Sequence, residues 1–504
     1  MSTAIPTNEA HFSVSELCEI TSAQLAFHGI ETCTSVITDT RSLTPGALFV
    51  ALVGERFDAH SFLAIAIEAK AHVLLVNACP EVDEIISRLE RGAFGSRPSV
   101  LVVADTLVAL GQLAQFHRRR HQIALVAVAG SAGKTTTRSV LSSLFEQVAP
   151  GQVHSTRGNL NNRIGVPMTL LGLRPAHRYA VVELGTNCPG EIAILSEMAE
   201  PDVAILTLID LEHTEGLGNL DGVEQEEASI FSYIREGGAA IGNGGDARVK
   251  KCVLASGAAH CLLYSEESSA DLQIVSRRLL APNRIELALR RSDGSQLRFS
   301  SSLVGKAGAL AAAAAVLAVE FMTQAHLSDT QCEAALRDAG EPGRHALIAL
   351  NGDRWIVDDS YNSNPASVAI SIQAGAEIAE KNGGQLWLVL GEMLELGTLS
   401  ESEHRKLGEL AGRSSARGIY FIQGDAELSH QLCQQFAKKS EFYPDAEQVA
   451  SNLAPLVQAR DVVVVKASRG VRAERVVEGL TAFFGRSGSA QFDSDHPSSS
   501  QPHT

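Results

Sequence analysis

The chain has 504 residues, 45% of them hydrophobic, and a formal net charge of −16 at pH 7. That length allows about three domains with a core each, and the hydrophobic content marks a globular chain rather than a disordered one. The acidic balance argues against a general nucleic-acid binder, so any anionic ligand has to be met by cations placed locally. Eight scattered cysteines with no C-x-x-C pair indicate neither a zinc site nor a disulfide framework. The N-terminus lacks a basic segment followed by an apolar core, and no apolar run approaches about 18 residues free of charge. A cytoplasmic protein without membrane insertion is expected.

Up to residue 121, short strands at 47–52, 72–76 and 99–103 alternate with helical patterns, and the basic cluster 117–121 marks a boundary. A second set of strands follows at 123–129, 179–184, 203–209 and 239–241, and an alanine-rich helix at 306–320 closes it. A third set lies at 355–357, 386–390, 419–422 and 462–465. From Gly485 on the chain is rich in Ser, Gly and Pro. The expected architecture is α/β with three domains: 1–121, a central doubly wound and mostly parallel sheet over 122–325, and a Rossmann-like α/β domain over 326–485. A disordered tail is expected over 486–504.

The stretch "VAVAGSAGKTTTRSVLSSLF" reads as strand, glycine loop and helix. A phosphate loop of the form G-x-x-x-x-G-K-[ST] would need a glycine at Val128, so only Gly130, Gly133, Lys134 and Thr135 of that pattern are present. The chemistry still fits: backbone N–H groups at the helix start face phosphates, Lys134 reaches the terminal ones, and the Thr135 hydroxyl can ligate magnesium. The plainer reading is a glycine-rich turn that ends a strand. Glu183, at the carboxyl end of an apolar strand, is placed to hold magnesium opposite Thr135, or else to cap the next helix. His213 lies on a short polar loop, where a lone histidine is ordinarily solvated surface. Asn159, Asn161 and Asn162 suit polar substrate recognition. In the third region Asp359, Asn362, Asn364, Lys466 and Arg469 sit at three strand ends on one sheet edge, where ligands bind in such folds.

Seven segments, "AGSAGKTT", "GNLNNRIGVP", "ELGTNCPGEI", "EPGR", "DDSYNSNP", "LVLGEMLELG" and "VVKASRG", resemble in this order the Mur ligase family of peptidoglycan synthesis. That family's loop is a shortened G-x-x-G-K-T, which accounts for the glycine absent at Val128. "DDSYNSNP" and "GEMLELG" resemble the branch that adds D-alanyl-D-alanine. "TDTRSLTPGALFVALVGERFDAHSF" resembles the family's uridine-diphosphate segment and implicates Asp39, Thr40, Arg41 and Ser42.

The resemblance implies an ATP-dependent, ADP-forming ligase. The terminal carboxylate of a UDP-N-acetylmuramoyl-tripeptide attacks the γ-phosphate of ATP, and the amine of D-alanyl-D-alanine displaces phosphate from the acyl phosphate. It implies ATP phosphates on Gly130, Ser131, Ala132, Gly133, Lys134, Thr135 and Thr136, and Mg2+ on Thr135 and Glu183. It further implies a second magnesium near His213, a phosphate contact from Arg344, and the ATP ribose on Asp359. Asn159, Asn161, Asn162, Asn362, Asn364 and Lys466 remain substrate-binding candidates, and a monomer is expected. The chain departs from the family in three places. Glu227 stands where a carbamylated lysine is usual, Ser229 replaces a glutamate, and Ala307, Gly308 and Ala311 replace an adenine-seating His-Asn-x-x-Asn pattern. A glutamate keeps the carbamate's negative charge, so Glu227 is a candidate metal support, with Glu226 one register away. Two other functions stay open: a paralogue with a different amino-acid substrate, and a non-catalytic member that binds the precursor.

Overall fold

A computed structural model describes residues 5–54, 57–267, 269–436 and 438–487; most of the expected tail, 488–504, lies outside the described residues. The chain divides into two compact units. One holds the residues up to Glu341 with Pro365–Ser367 and Glu395–Leu399; the other holds Pro342–Asn364, Val368–Leu394 and the described residues from Ser400 on.

The first unit contains two large sheets. A five-stranded sheet has the order Gln24–Phe27, Ser99–Val103, Val73–Asn77, Ala47–Val50, Ser35–Ile37, parallel except at Gln24–Phe27. The nine-stranded sheet runs Val153–Ser155, Tyr179–Glu183, Ala124–Ala129, Val203–Leu206, Ala239–Asn243, His260–Ser265, Leu272–Ala281, Arg284–Arg291, Gln296–Ser301. Its first seven strands are parallel, and the last two turn back as an antiparallel extension that the strands expected from sequence do not include. The strands Ala124–Ala129 and Tyr179–Glu183 are apolar up to the terminal Glu183 because both faces are covered, as parallel sheets require.

The helix Lys134–Val148 buries Val140, Leu141, Leu144 and Phe145 completely. These lie in one core with Ala312–Val316 of the helix Gly305–Thr323, whose alanines let the two helices approach closely. That helix is long and apolar enough to cross a membrane by length and composition, yet most of it is buried inside the fold.

The second unit carries a six-stranded sheet in the order Ala346–Leu350, Arg354–Asp359, Val462–Lys466, Leu386–Gly391, Gly418–Ile422, Ser440–Tyr443, antiparallel only at its first strand. In both units the parallel strands end in the loops that carry the motifs. The strand alternation alone therefore places the candidate residues on sheet edges.

One consequence of packing is acid sensitivity. His117 is 5% exposed, and its Nε2–H donates to the Leu173 carbonyl at 3.0 Å. Burial pushes its pKa down from 6.5 to about 4. Below pH 6.5 the unfolded chain takes up a proton that the folded one refuses, so stability is lost as pH falls from 6.5 towards 4. The loss from this residue is expected to reach roughly 2–3 kcal/mol. Denaturant melts between pH 7 and 4.5 should show that slope, and His117→Asn should flatten it; an identical slope in the variant would exclude His117 as its source.

Candidate active site

The loop after Ala124–Ala129 is shaped by two glycines. Gly130 has φ +125°, and a Cβ there would lie 2.3 Å from Thr207 Oγ1 and 3.0 Å from the Leu208 nitrogen. Gly133 has φ +87° and precedes the helix. Both conformations favour glycine, so a G-x-x-G spacing makes this turn without a glycine at Val128. Thr207 Oγ1 closes the loop by donating to the Ala132 carbonyl at 2.6 Å, and the Ser131 hydroxyl donates to the Asp210 carbonyl at 2.9 Å.

Lys134 is the first residue of the helix, not an exposed loop lysine: its side chain is 13% exposed. Its ammonium donates to the Gly130 carbonyl at 2.5 Å and to Glu212 Oε1 at 3.0 Å. Burial works against the charge, but Glu212, Glu227 and Glu183 outweigh it and hold the pKa above that of an ordinary lysine. Thr136 follows Thr135 in the first turn. Thr135 Oγ1 is buried and has no hydrogen-bond partner among the described residues. A buried hydroxyl left unmade costs about 1–3 kcal/mol, which fits a group reserved for a cation or a phosphate.

Glu183 ends its strand fully buried. Its Oε2 accepts from Arg138 Nε at 3.2 Å and its Oε1 from Asn161 Nδ2 at 2.9 Å, while its backbone N–H donates to Thr156 Oγ1 at 3.0 Å. Arg138 also donates to the Thr156 carbonyl and to Glu341. Arg138 lies four residues beyond Lys134, one turn on, so the same helix supplies both cations. Asn161 therefore supports Glu183, and the Asn162 side-chain oxygen accepts from the Ile164 and Gly165 N–H groups at 3.1 and 2.9 Å, just ahead of the helix Gly165–Leu171. Asn159 is exposed, its carbonyl taken by the Asn161 N–H.

Glu212, which the motifs did not single out, joins Lys134 to His213: its Oε1 lies 3.4 Å from His213 Nε2. His213 Nδ1 is 2.5 Å from Glu395 Oε2. Burial alone would lower the histidine, but the two carboxylates raise it to about 9. Glu227 is 1% exposed, and its Oε2 accepts from the Gly130 N–H at 2.7 Å. Burial first, then Glu212 and Glu226, push it up to about 7 against the pull of Lys134 and the Gly130 N–H. Glu226 is buried too, accepting from the Gly190 and Ile192 nitrogens at 2.6 and 2.8 Å and from the Thr186 hydroxyl. Neither acid is solvated surface. Glu227 serves the phosphate loop, and Glu226 serves the start of the helix Glu191–Ala199.

In the five-stranded sheet's loops, Asp39 caps the turn Thr40–Ser42 and chelates Arg41, with Nη2 to Oδ2 at 2.6 Å; the Ser42 hydroxyl donates to the Asp39 carbonyl. The Arg41 side chain is 88% exposed. The hydrogen bonds from Arg41 hold Asp39 below the usual carboxylate range.

In the second unit, Asp359 ends the strand Arg354–Asp359, with its Oδ2 2.8 Å from Lys466 Nζ and accepting from the Ser371 hydroxyl at 2.5 Å. Burial opposes its charge; Lys466 and His345 prevail and lower its pKa. Lys466 is itself buried and also donates to the Asn362 carbonyl at 2.7 Å. Asn364 is buried, its carbonyl accepting from the Val368 nitrogen, and Asn362 is exposed. Arg344 lies over the Tyr361 ring, 4.0 Å from its centroid. The phosphate-loop group gathers around Lys134, Glu183 and Glu227, Asp359 and Lys466 pair in the second unit, and residues 39–42 form a separate cluster on the five-stranded sheet.

Comparison with known proteins agrees with these motifs. Residues 128–319 match the family described as Mur ligase middle domain, and 343–469 match the Mur ligase, glutamate ligase domain. The chain is 34% identical over 474 residues to a UDP-N-acetylmuramoyl-tripeptide--D-alanyl-D-alanine ligase of Escherichia coli (strain K12), covering 93% of this chain and 98% of the relative. It is 29% identical to the Bacillus subtilis (strain 168) protein of that name, over 91% and 94% of the two chains. Among solved structures it is similar to MurF from Acinetobacter baumannii (TM-score 0.79, 28% identity, 95% of this chain and 100% of that one). It is also similar to MurF ligase from Thermotoga maritima in complex with ADP (TM-score 0.75, 26% identity, 89% and 97%). On these matches and on the phosphate-loop geometry, the chain belongs to the Mur ligase family and is similar along nearly its whole length to the family's MurF members.

Proposed function

We propose that this protein joins D-alanyl-D-alanine to a UDP-N-acetylmuramoyl-tripeptide at the expense of ATP, releasing ADP and phosphate. The observation that carries the reading is the pairing of the unpartnered, buried Thr135 hydroxyl with a Lys134 ammonium kept charged by three carboxylates. In this reading a substrate carboxylate oxygen bonds to the γ-phosphorus as the bond to ADP breaks. The dipeptide amine then bonds to the carbonyl carbon as phosphate leaves, and the amine gives up a proton. Charge develops on phosphoryl oxygens throughout, so positioned cations matter more in the transition state than in the ground state. Lys134 supplies one such cation on the phosphate loop, and the family resemblance gives Arg344 a phosphate contact of its own.

Thr135 and Glu183 would hold Mg2+, which when bound neutralises phosphate charge. Glu183 Oε2 accepts from Arg138 and Oε1 from Asn161, and each oxygen keeps a further lone pair for such a role. His213 would serve a second ion only after giving up a ring proton, because its two ring nitrogens face carboxylates, Glu212 at 3.4 Å and Glu395 at 2.5 Å. A cytoplasmic, monomeric enzyme supplied with UDP-linked precursor and ATP completes the reading.

The decisive assay follows phosphate release from ATP with UDP-tripeptide, with and without D-alanyl-D-alanine. Full turnover should require all three; release indifferent to the dipeptide would point to another amine substrate, and no release at all to a binding protein. Binding should also divide between residues. Arg41→Ala is expected to weaken the UDP-precursor about tenfold and leave ATP unchanged, and Asp359→Ala to do the reverse, as loss of one charge-assisted contact implies. Calorimetry finding both variants equally defective for both ligands would contradict the division.

A further inference from the structure

Three motif loops of the second unit meet at one aromatic ring. Arg344 Cζ lies 4.0 Å and Arg469 Cζ 4.8 Å from the centroid of Tyr361. The loop that carries Arg344 is tied to the loop that carries Tyr361. Gly343 donates to Asp358 Oδ2 at 3.1 Å, its carbonyl accepts from the Tyr361 N–H at 3.0 Å, and the His345 N–H donates to Asp359 Oδ1 at 3.1 Å. Gly343 has φ +73°, and a Cβ there would stand 3.3 Å from Tyr361 Cβ, so glycine is what lets the two loops touch. Arg469 opens the turn Arg469–Val471 after the strand Val462–Lys466.

Two like charges near one ring repel each other, and the negative face of the ring offsets only part of that. Arg344 makes no ion pair among the described residues. An arrangement that gathers guanidiniums without an internal carboxylate for one of them is suited to an external anion, and planar guanidinium forks match phosphate oxygens.

We propose that Tyr361 is a positioning residue that presents Arg344 and Arg469 together as a paired guanidinium site for the phosphate group in transfer. This rests on the phosphate role given to Arg344 above. It adds Arg469 as a second phosphate-facing cation and makes the ring, not the hydroxyl, the working part of Tyr361. Among the described residues no hydrogen bond uses that hydroxyl.

The test is a set of steady-state measurements on the full-length protein with ATP, UDP-tripeptide and D-alanyl-D-alanine, with thermal melts alongside. Tyr361→Phe should stay within about threefold of wild type. Tyr361→Leu should lower kcat roughly 10- to 30-fold, the scale of a desolvated cation–π contact, with KM for ATP little changed. Tyr361→Met, which keeps bulk without a ring, stands in if the leucine variant fails to fold. In an Arg344→Ala background the Tyr361→Leu change should add much less than it does alone, because part of its action runs through the arginine. If Tyr361→Phe is as poor as Tyr361→Leu, if both are wild-type, or if the double variant is fully additive with Arg344→Ala and with Arg469→Ala, the positioning role is wrong. If Arg344→Ala itself leaves kcat unchanged, it is the phosphate reading that fails.

Discussion

Lys134→Ala is expected to lower turnover by at least about 10³-fold, the scale seen when a positioned charge is removed from a transferring oxyanion. From sequence, this lysine reads as an exposed loop residue whose loss costs little stability. Its place in the fold argues otherwise. The ammonium is 3.0 Å from Glu212, which is 6% exposed, and Glu183 and Glu227 are buried nearby. Removing the cation leaves a carboxylate cluster without its countercharge, and breaking a buried pair costs roughly 3–5 kcal/mol. Glu212 relieves part of this by taking up a proton, since Lys134 is the main force holding its pKa down against burial. The loss of activity has therefore to be separated from loss of fold. Glu212→Gln added to Lys134→Ala should restore most of the thermal stability and none of the turnover. If activity returned with stability, Lys134 would be a structural cation only, and the phosphate-loop assignment would fall.

How much of this was legible in the sequence depends on the range of the contacts. The phosphate loop is local: two glycines, a lysine and a threonine within six residues define their own backbone path, and Gly130 and Gly133 take the positive φ that the motif implies. Core strands were legible because both their faces are apolar. The segment His260–Ser301 was not, since Leu272–Ala281 leaves much of its outer face in water and carries arginines where a buried strand would carry valine. The Asp293-Gly294 pair between Arg284–Arg291 and Gln296–Ser301 was a usable hairpin signal. Glu212 was invisible for a different reason. It meets Lys134 across 78 residues, and only the pairing of Ala124–Ala129 with Val203–Leu206 brings the loops that follow them together. Arg138 could have been found one helical turn after Lys134, but its partners Thr156, Glu183 and Glu341 could not.

Glu227→Ala is expected to lower turnover about 100-fold while costing roughly 1–3 kcal/mol of stability, because it strands the buried Gly130 N–H inside the phosphate loop. Glu227→Gln keeps an oxygen for that N–H and should be the milder change. Adjacent helical positions point about 100° apart, which is why sequence could not choose between Glu226 and Glu227. The fold buries both but gives them different partners. Glu226→Ala removes the acceptor for two backbone N–H groups at the start of Glu191–Ala199, so it should cost more stability and less turnover than Glu227→Ala. Bicarbonate, which restores an enzyme that needs a carbamylated lysine, should leave this protein unchanged, since position 227 offers no amine. The magnesium dependence of each glutamine variant completes the test. A brace for Gly130 predicts that Glu227→Gln and Glu226→Gln need the same magnesium concentration as wild type. A raised requirement in Glu227→Gln alone would instead make this carboxylate a support for metal, and activation by bicarbonate would show that a lysine elsewhere has taken over the carbamate's place.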